Sequence, residues 1–146
     1  MLTYAESSAV ATWLLGQEGC REVADALGRS EGVSCSALTI LECDRAVTRR
    51  VLDGSLSREE AARARGALEK AALRWSVVPV TAEILAGARR VFPREPVRAL
   101  DAIHLVTVLV LRASVPGLVV LALDRRVAEN ASLLGFEVLP RDPGVR

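Results

Sequence analysis

The chain has 146 residues and a formal net charge of +1, and 51% of its residues are hydrophobic although only 3% are aromatic. A chain of this length fits one domain with a full core, which here must be built mainly from aliphatic side chains. The nearly neutral balance of charge argues against a general nucleic-acid binder that is held by net charge alone.

The first half of the chain predicts alternating strands and helices. A short strand over MLTYA leads into the helix ESSAVATWLL, which Ser7 or Ser8 can cap, and a second helix is predicted near REVADALG. The stretch GVSCS predicts a second strand, and the helix ALTILECDRAVTRRVL follows it. Ser57 and Glu60 form a capping box at the start of a further helix, SREEAARARGALEKAALRW.

The second half continues this alternation. The third strand is predicted over SVVPV, and the helix TAEILAGARRVF is stopped by Pro93 and Pro96. An apolar helix is predicted from Val97 to Arg112. GLVVLAL predicts a fully buried strand, DRRVAENASLLG a helix that ends at Gly135, and FEVLP a last strand. Strands that alternate with helices indicate an α/β fold, with a mostly parallel sheet covered on both faces.

We expect a single domain over residues 1–140, followed by a short C-terminal tail, 141–146. The most apolar span, 102–123, is interrupted by His104, Arg112 and the turn SVPG, so we interpret it as a buried helix and strand rather than a membrane span. The three cysteines are odd in number and lie in predicted apolar elements without a C-x-x-C pair. This pattern favours reduced thiols in a cytoplasmic protein.

Asp101 occupies an unexpected position in the apolar helix. It lies on the same stripe as Leu105 and Val108, which are one and two turns further along. An ionised carboxylate that is withdrawn from water is strongly unfavourable unless something compensates it. The position therefore predicts a cationic partner, and Arg98, three residues earlier, could form a structural ion pair.

Three further acidic residues fall where a functional site is expected. Glu6 follows the first strand, Asp124 follows the fourth, and Glu42 lies early in the third helix. Ligands of open α/β sheets bind at the carboxyl ends of the strands, although an acid at a helix start also has a purely structural role as a cap. Carboxylates that converge repel each other unless a cation lies among them. Hard oxygen ligands without histidine or cysteine indicate Mg²⁺ or Mn²⁺.

Other chemistries fit the sequence less well. A Ser–His–Asp triad could be assembled from Ser7, His104 and Asp101, but G-x-S-x-G is absent and His104 is predicted to be a packed helix residue. An aspartyl phosphotransferase needs a nucleophilic aspartate after the first strand and a lysine near the phosphate. The chain has Glu6 at that point, and its single lysine, Lys70, lies on a polar helix.

The four acids lie in the blocks TYAESSAVATWLL, SALTILECDRAV, VRALDAIHLVTVL and VLALDRRVAENASLLGFEVL. These blocks resemble PIN-domain proteins, in particular the VapC toxins of bacterial toxin–antitoxin pairs. The most specific part is the motif R-x-x-D-A-x-H, Arg98 to His104, which is followed by a strand–Asp–helix block. The resemblance implies a three-layer α/β/α sandwich with a five-stranded parallel sheet and a Mg²⁺-dependent endoribonuclease site.

The resemblance also implies a role for particular residues. The positions that correspond to the family's catalytic acids are Glu6, Glu42, Asp101 and Asp124. The ligands expected for Mg²⁺ or Mn²⁺ are Glu6, Asp101 and Asp124. Ser7 corresponds to the small hydroxyl residue that helps to orient the site. We expect Arg98 and Arg125, at the rim, to hold the RNA backbone.

Family members of this type usually form homodimers and are silenced by a small antitoxin. The resemblance therefore implies a homodimer with an RNA substrate and a VapB-like antitoxin as partner. The cysteines and the interrupted apolar span predict a cytoplasmic protein without membrane attachment. The amphipathic helices from Ala37 to Trp75 are expected to bury one apolar face in the homodimer and another against an antitoxin helix.

The chain departs from the family pattern at two positions. Glu6 stands where the family usually has aspartate, and Ala122 stands where threonine is common, two residues before the last acid. These departures keep an alternative function open. In that alternative, the chain is a catalytically degenerate PIN domain that binds protein or RNA and cuts nothing.

Overall fold

Strands and helices alternate through residues 1–141, the part of the chain that the computed structural model describes. In chain order the elements are β1 (Leu2–Ala5), α1 (Ser7–Leu15), α2 (Cys20–Gly28), β2 (Gly32–Ser36), α3 (Ala37–Leu52), α4 (Arg58–Ala72), β3 (Ser76–Val78), α5 (Ala82–Gly87), α6 (Ala99–Arg112), β4 (Val119–Leu121), α7 (Arg125–Leu133) and β5 (Glu137–Leu139). The predicted C-terminal tail falls, beyond residue 141, outside the described residues.

The five strands form one parallel sheet in the order β3-β2-β1-β4-β5. β1 is the central strand, and its Tyr4 lies opposite Ser34 of β2 on one side and Val120 of β4 on the other. The strand order changes direction at β1, so a crevice is expected at the carboxyl ends of β1 and β4. The predicted α/β sandwich is confirmed, and its sheet is entirely parallel rather than mostly parallel.

Helices cover both faces of the sheet. Neighbouring residues of a buried strand point to opposite faces, so each contacts a different set of helices. Val120 packs in a large cluster with Leu105 of α6 and Val127 of α7. Leu121, the next residue of β4, packs in a second cluster with Ala9 of α1. The core is dominated by aliphatic side chains, as the composition predicted.

The segment between α5 and α6 differs from the sequence prediction. α5 ends at Gly87 instead of Phe92, and α6 begins at Ala99 instead of Val97. The Glu95 carboxylate accepts hydrogen bonds from the backbone N–H groups of Phe92 and Val97, which closes a turn between the helices. The Phe92 side chain is buried in the core. The chain therefore leaves the helical path before Phe92, because Phe92 packs in the core and the Glu95 carboxylate binds the backbone of the turn.

The most apolar span, 102–123, forms most of α6, a turn and β4, as predicted. No helix among the described residues is long and apolar enough to cross a membrane. Cys20, Cys35 and Cys43 are free thiols, and the last two are buried.

Candidate active site

Glu6 lies directly after β1, at the carboxyl edge of the sheet, and caps α1. Its Oε2 accepts hydrogen bonds from the backbone N–H of Ser8, at 2.9 Å, and from the Ser8 hydroxyl. The Glu6 residue is only 3% exposed. Burial raises the pKa of the Glu6 carboxyl, against the opposing effects of nearby His104 and of the hydrogen bonds from Ser8. Glu6 is thus both a helix cap and a buried acid at a strand end.

Ser8 joins the ends of β1 and β4. Its Oγ accepts hydrogen bonds from the backbone N–H groups of Leu123, at 2.9 Å, and Asp124, at 2.8 Å. Its hydroxyl hydrogen is donated to Glu6. One hydroxyl therefore ties the acid after β1 to the acid after β4. Sequence reasoning treated Ser8 only as a possible helix cap, because its long-range contacts leave no local signal.

Glu42 is brought to this edge by α3 and is half-buried. The Ser7 hydroxyl donates to Glu42 Oε1 at 2.7 Å, and His104 Nε2 lies 2.8 Å from the same oxygen. Burial raises the pKa of Glu42, but the hydrogen bonds from His104 and Ser7, with the charges of His104 and Arg98, outweigh burial and lower it. The Glu42 carboxylate is therefore held in its ionised form. Ser7 was predicted to orient the site, and the acid that it contacts is Glu42.

His104 connects these side chains from the buried side of α6. Its Nε2 lies 2.9 Å from Ser7 Oγ and 3.7 Å from Glu6 Oε1. Its Nδ1 lies 2.7 Å from the Tyr4 hydroxyl. Burial holds the pKa of the Tyr4 phenol well above its ordinary value. The phenol therefore keeps its proton, and with the phenol as donor to Nδ1, Nε2 carries the proton that points toward Glu42.

The triad considered from the sequence does not form as written. The carboxylate that contacts both Ser7 and His104 is Glu42 instead of Asp101. Because the Ser7 hydroxyl gives its hydrogen to Glu42, this serine is not activated as a nucleophile by His104. The prediction that His104 is a packed helix residue is right about its burial, but it missed the polar network. A histidine on an apolar stripe cannot be distinguished from a core residue by spacing alone.

Asp101 lies in the first turn of α6 and is 8% exposed. Arg98 Nε donates a hydrogen bond to Asp101 Oδ2 at 3.1 Å. This contact is the ion pair that the sequence suggested, and it supplies the cationic partner that a buried carboxylate requires.

Asp124 follows β4 and uses its two carboxylate oxygens differently. Oδ1 caps α7 by accepting the backbone N–H groups of Arg126, at 2.9 Å, and Val127, at 3.2 Å. Oδ2 lies 3.5 Å from Arg98 Nη2. Oδ1 therefore has the structural role of a helix cap, and Oδ2 faces the Arg98 guanidinium.

The sequence also singled out Arg125 and Ala122. The exposed Arg125 side chain bonds Glu129 on its own helix, with Nε 2.6 Å from Glu129 Oε1. Ala122 is buried, and its backbone N–H donates to the carbonyl of Leu139. The structure thus brings Glu6, Glu42, Asp101 and Asp124 to one edge through His104, Ser8 and Arg98.

The four acids offer only carboxylate oxygens, which suit a hard divalent cation such as Mg²⁺ or Mn²⁺. Asp101 and Asp124 already share one cationic group, the Arg98 guanidinium. As the side chains stand in residues 1–141, no group of three or more histidine, cysteine or acidic residues could hold a metal ion. The carboxylates thus have the right chemistry for a divalent ion. To bind it, Asp101 and Asp124 would have to give up their contacts with Arg98.

Two solved structures resemble this chain over nearly its whole length. One is the Mycobacterium tuberculosis protein VapC20, described as a sarcin-ricin loop cleaving toxin, with a TM-score of 0.64, 18% identity, and coverage of 92% of this chain and 95% of VapC20. The other is FitAB bound to a DNA fragment, with a TM-score of 0.62, 17% identity, and coverage of 94% of this chain and 93% of that one. At these identities, the similarity concerns the fold.

A comparison with curated protein sequences gives no match. The family model for the PIN domain, however, matches residues 4–140. That range includes all four acids and every strand except the first two residues of β1. The chain therefore belongs to the PIN-domain family.

Proposed function

We propose that this chain is a metal-dependent endoribonuclease of the VapC toxin type. The observation that carries the proposal is the gathering of four acids at the carboxyl edge of the sheet, two of them tied together by Ser8. Membership of the PIN family and the similarity to VapC20, a toxin that cleaves the sarcin-ricin loop, support it.

Glu6, Asp101 and Asp124 are the residues that would hold Mg²⁺ or Mn²⁺. When bound, such an ion supplies a water of lowered pKa and stabilises negative charge on the scissile phosphate. The chain's own part is to keep the three carboxylates at one edge. Ser8 does this for Glu6 and Asp124, and Arg98 does it for Asp101 and Asp124.

Glu42 is the acid best suited to accept a proton during cleavage. Its lowered pKa keeps it ionised near neutral pH, a state in which a carboxylate can act as a base. The hydrogen bonds from Ser7 and His104 both go to Oε1, so within residues 1–141 Oε2 remains for a water or a substrate hydroxyl. The Glu42 side chain is 30% exposed, which leaves it accessible from solvent.

Arg98 and Arg125 remain the proposed contacts to the RNA backbone. Both side chains are exposed, and a guanidinium binds a phosphate through two parallel hydrogen bonds. Arg98 is the better supported of the two, because it already lies beside the acids.

We further propose that the chain acts in the cytoplasm as a homodimer and is neutralised by a small VapB-like antitoxin. Exposed leucines at the ends of α3 and α4 support an interface in the 37–75 region. The similarity to VapC20, a toxin, supports the antitoxin partner.

The test of the enzymatic proposal is Asp101→Asn. The amide has nearly the shape of the carboxylate but no charge, so we expect Mg²⁺-dependent RNA cleavage to be lost while circular dichroism stays unchanged. Asp25→Asn, which changes an exposed acid on α2, is the matched control and should retain activity. Full activity in Asp101→Asn would exclude this acid from the site.

A second candidate function is binding of RNA or protein without cleavage. The observation that favours it is that Arg98 already neutralises Asp101 and Asp124 in the described structure. A purified protein that binds RNA but leaves it intact in Mg²⁺ and in Mn²⁺ would establish this second candidate and overturn the first.

A further inference from the structure

The Arg98 guanidinium spans two acids that belong to different elements. Nε donates to Asp101 Oδ2 at 3.1 Å, and Nη2 lies 3.5 Å from Asp124 Oδ2. Asp101 comes from the first turn of α6, whereas Asp124 comes from the end of β4. One planar cation therefore holds together two carboxylates that would otherwise repel each other.

Each of the two acids presents its Oδ2 to the guanidinium. Asp124 Oδ1 is engaged by the backbone of α7, which leaves Oδ2 for the guanidinium. Asp101 is buried, and its carboxylate accepts a side-chain hydrogen bond from Arg98. The Arg98 side chain is 65% exposed, so it can leave this position without opening the core.

We propose that Arg98 is an internal counter-ion that occupies the cation position between Asp101 and Asp124 and competes with a divalent metal ion for them. The proposal rests on the proposed function, which assigns both acids to the metal. It gives Arg98 two states. In one it holds the empty acids together, and in the other the metal has displaced it and its guanidinium is available to an RNA phosphate.

The competition is tested by metal binding rather than by cleavage. Mn²⁺ titration calorimetry would compare the unchanged protein with Arg98→Gln and Arg94→Gln. Arg94 is a matched control, because its exposure is 62% and its ion pair, at 3.3 Å, is with Glu129. We expect Arg98→Gln to bind Mn²⁺ about tenfold more tightly, since a competing positive charge is removed, and Arg94→Gln to bind as the unchanged protein does.

A second measurement covers the case in which Arg98→Gln does not fold. The NMR signal of the Arg98 Nε–H group in the unchanged protein reports its hydrogen bond to Asp101. We expect this signal to shift during a titration with diamagnetic Mg²⁺, and to saturate at the concentration where calorimetry shows the ion to be bound. A signal that stays constant while Mg²⁺ binds would overturn the proposal.

The outcomes separate this proposal from the proposed function. Equal or weaker Mn²⁺ binding in Arg98→Gln, with metal-dependent cleavage present in the unchanged protein, overturns the counter-ion and leaves the nuclease intact. An absence of metal binding in all three proteins overturns the metal-dependent nuclease and the counter-ion with it. Tighter binding in Arg98→Gln alone supports the competition.

Discussion

At the scale of single residues, Glu6 departs from the family pattern, which usually has aspartate at this position. Its side chain caps α1 and is almost completely buried. Glu6→Ala removes the carboxylate, so we expect a severe loss of metal binding and of RNA cleavage. Glu6→Asp should retain a measurable part of both, since aspartate is also a good helix cap and places its charge one methylene closer to the backbone. Calorimetry with Mn²⁺ and a cleavage assay on both variants provide the measurement.

The result that would contradict this expectation is unchanged metal affinity and activity in Glu6→Ala. Glu6 would then be only a helix cap, and the metal ligands would reduce to the remaining acids. Glu18→Ala, an acid in the turn between α1 and α2, is the control for the loss of one negative charge.

A second prediction at this scale concerns the pKa of Glu42. The hydrogen bond from Ser7 is one of the contacts that lower this pKa, so Ser7→Ala should raise it. If Glu42 must be ionised for cleavage, the acidic limb of the pH–rate profile will move to higher pH. The measurement is that profile, with the ¹³C carboxyl shift of Glu42 followed by NMR as an activity-independent titration.

Ser132→Ala, which removes an exposed hydroxyl on α7, should leave both the profile and the titration in place. An unchanged Glu42 titration in Ser7→Ala would show that the Ser7 contact does not control the charge of this acid.

The residues of the site were predictable to different degrees. Asp101 could be recognised because a carboxylate on an apolar stripe requires a partner, and that partner, Arg98, lies within one helical turn. The bonds of Ser8 to the end of β4 and of His104 to Tyr4 could not be predicted, because they join residues that are far apart in the chain. The Tyr4–His104 bond spans 100 residues, and nothing in the local sequence around either residue records it.

At the scale of elements, α5 and α6 lie unusually close at Gly87. A Cβ at this position would lie 2.8 Å from Cγ1 of Val106, a buried and stiff side chain. We expect Gly87→Ala to lower the free energy of unfolding by about 1–3 kcal/mol through overpacking. Urea denaturation monitored by circular dichroism measures the change.

Gly66→Ala on α4 is the matched control for this prediction. A Cβ there meets no atom within 4 Å, so the substitution should stabilise the protein by about 0.5–1 kcal/mol through helix propensity. A Gly87→Ala protein that gains stability as Gly66→Ala does would show that Val106 can move aside.

The existence of nearly every element followed from apolar periodicity and capping signals, but several ends did not. The predicted end of α5 at Phe92 relied on Pro93 as the stop, whereas the chain leaves the helix at Gly87. The reason is tertiary, because Phe92 enters the core and Glu95 binds two backbone N–H groups in the turn. The prolines in the sequence indicate that the helix stops, but the sequence does not show that Phe92 packs in the core or that Glu95 closes the turn.

At the scale of the whole molecule, the class of fold was predictable, because alternating strands and helices favour a parallel sheet. The order of its strands was not, since the position of β1 between β2 and β4 depends on contacts between distant segments. Five parallel strands are compatible with several orders. Only the acids after β1 and β4 hinted that these two strands are neighbours.

A prediction at this scale concerns assembly. Leu73, next to α4, is 87% exposed, and Leu52, at the end of α3, is 80% exposed. If these leucines are buried in a homodimer, each contributes about 1.5–3 kcal/mol per protomer, so Leu73→Glu should produce a monomer. Light scattering at micromolar concentration measures the mass, and Leu133→Glu, an exposed leucine on α7, is the control.

A monomeric unchanged protein would contradict the expected homodimer. Purification from the native operon would test the partner separately, since a small protein that remains bound through gel filtration is expected. If no such protein is recovered, the antitoxin part of the proposal fails while the catalytic part stands.

The bonds from Ser8 to Leu123 and Asp124 span 115 and 116 residues, which has a consequence for synthesis on the ribosome. β1 emerges first, but one of its edges stays unpaired until β4 has left the exit tunnel, because β4 is its neighbour on that side. A nascent chain that stops before residue 119 therefore has an open, apolar strand edge and lacks Asp124 altogether. Translation products that stop before Asp124 cannot bring the four acids together, so the complete cluster can form only after this residue has been translated.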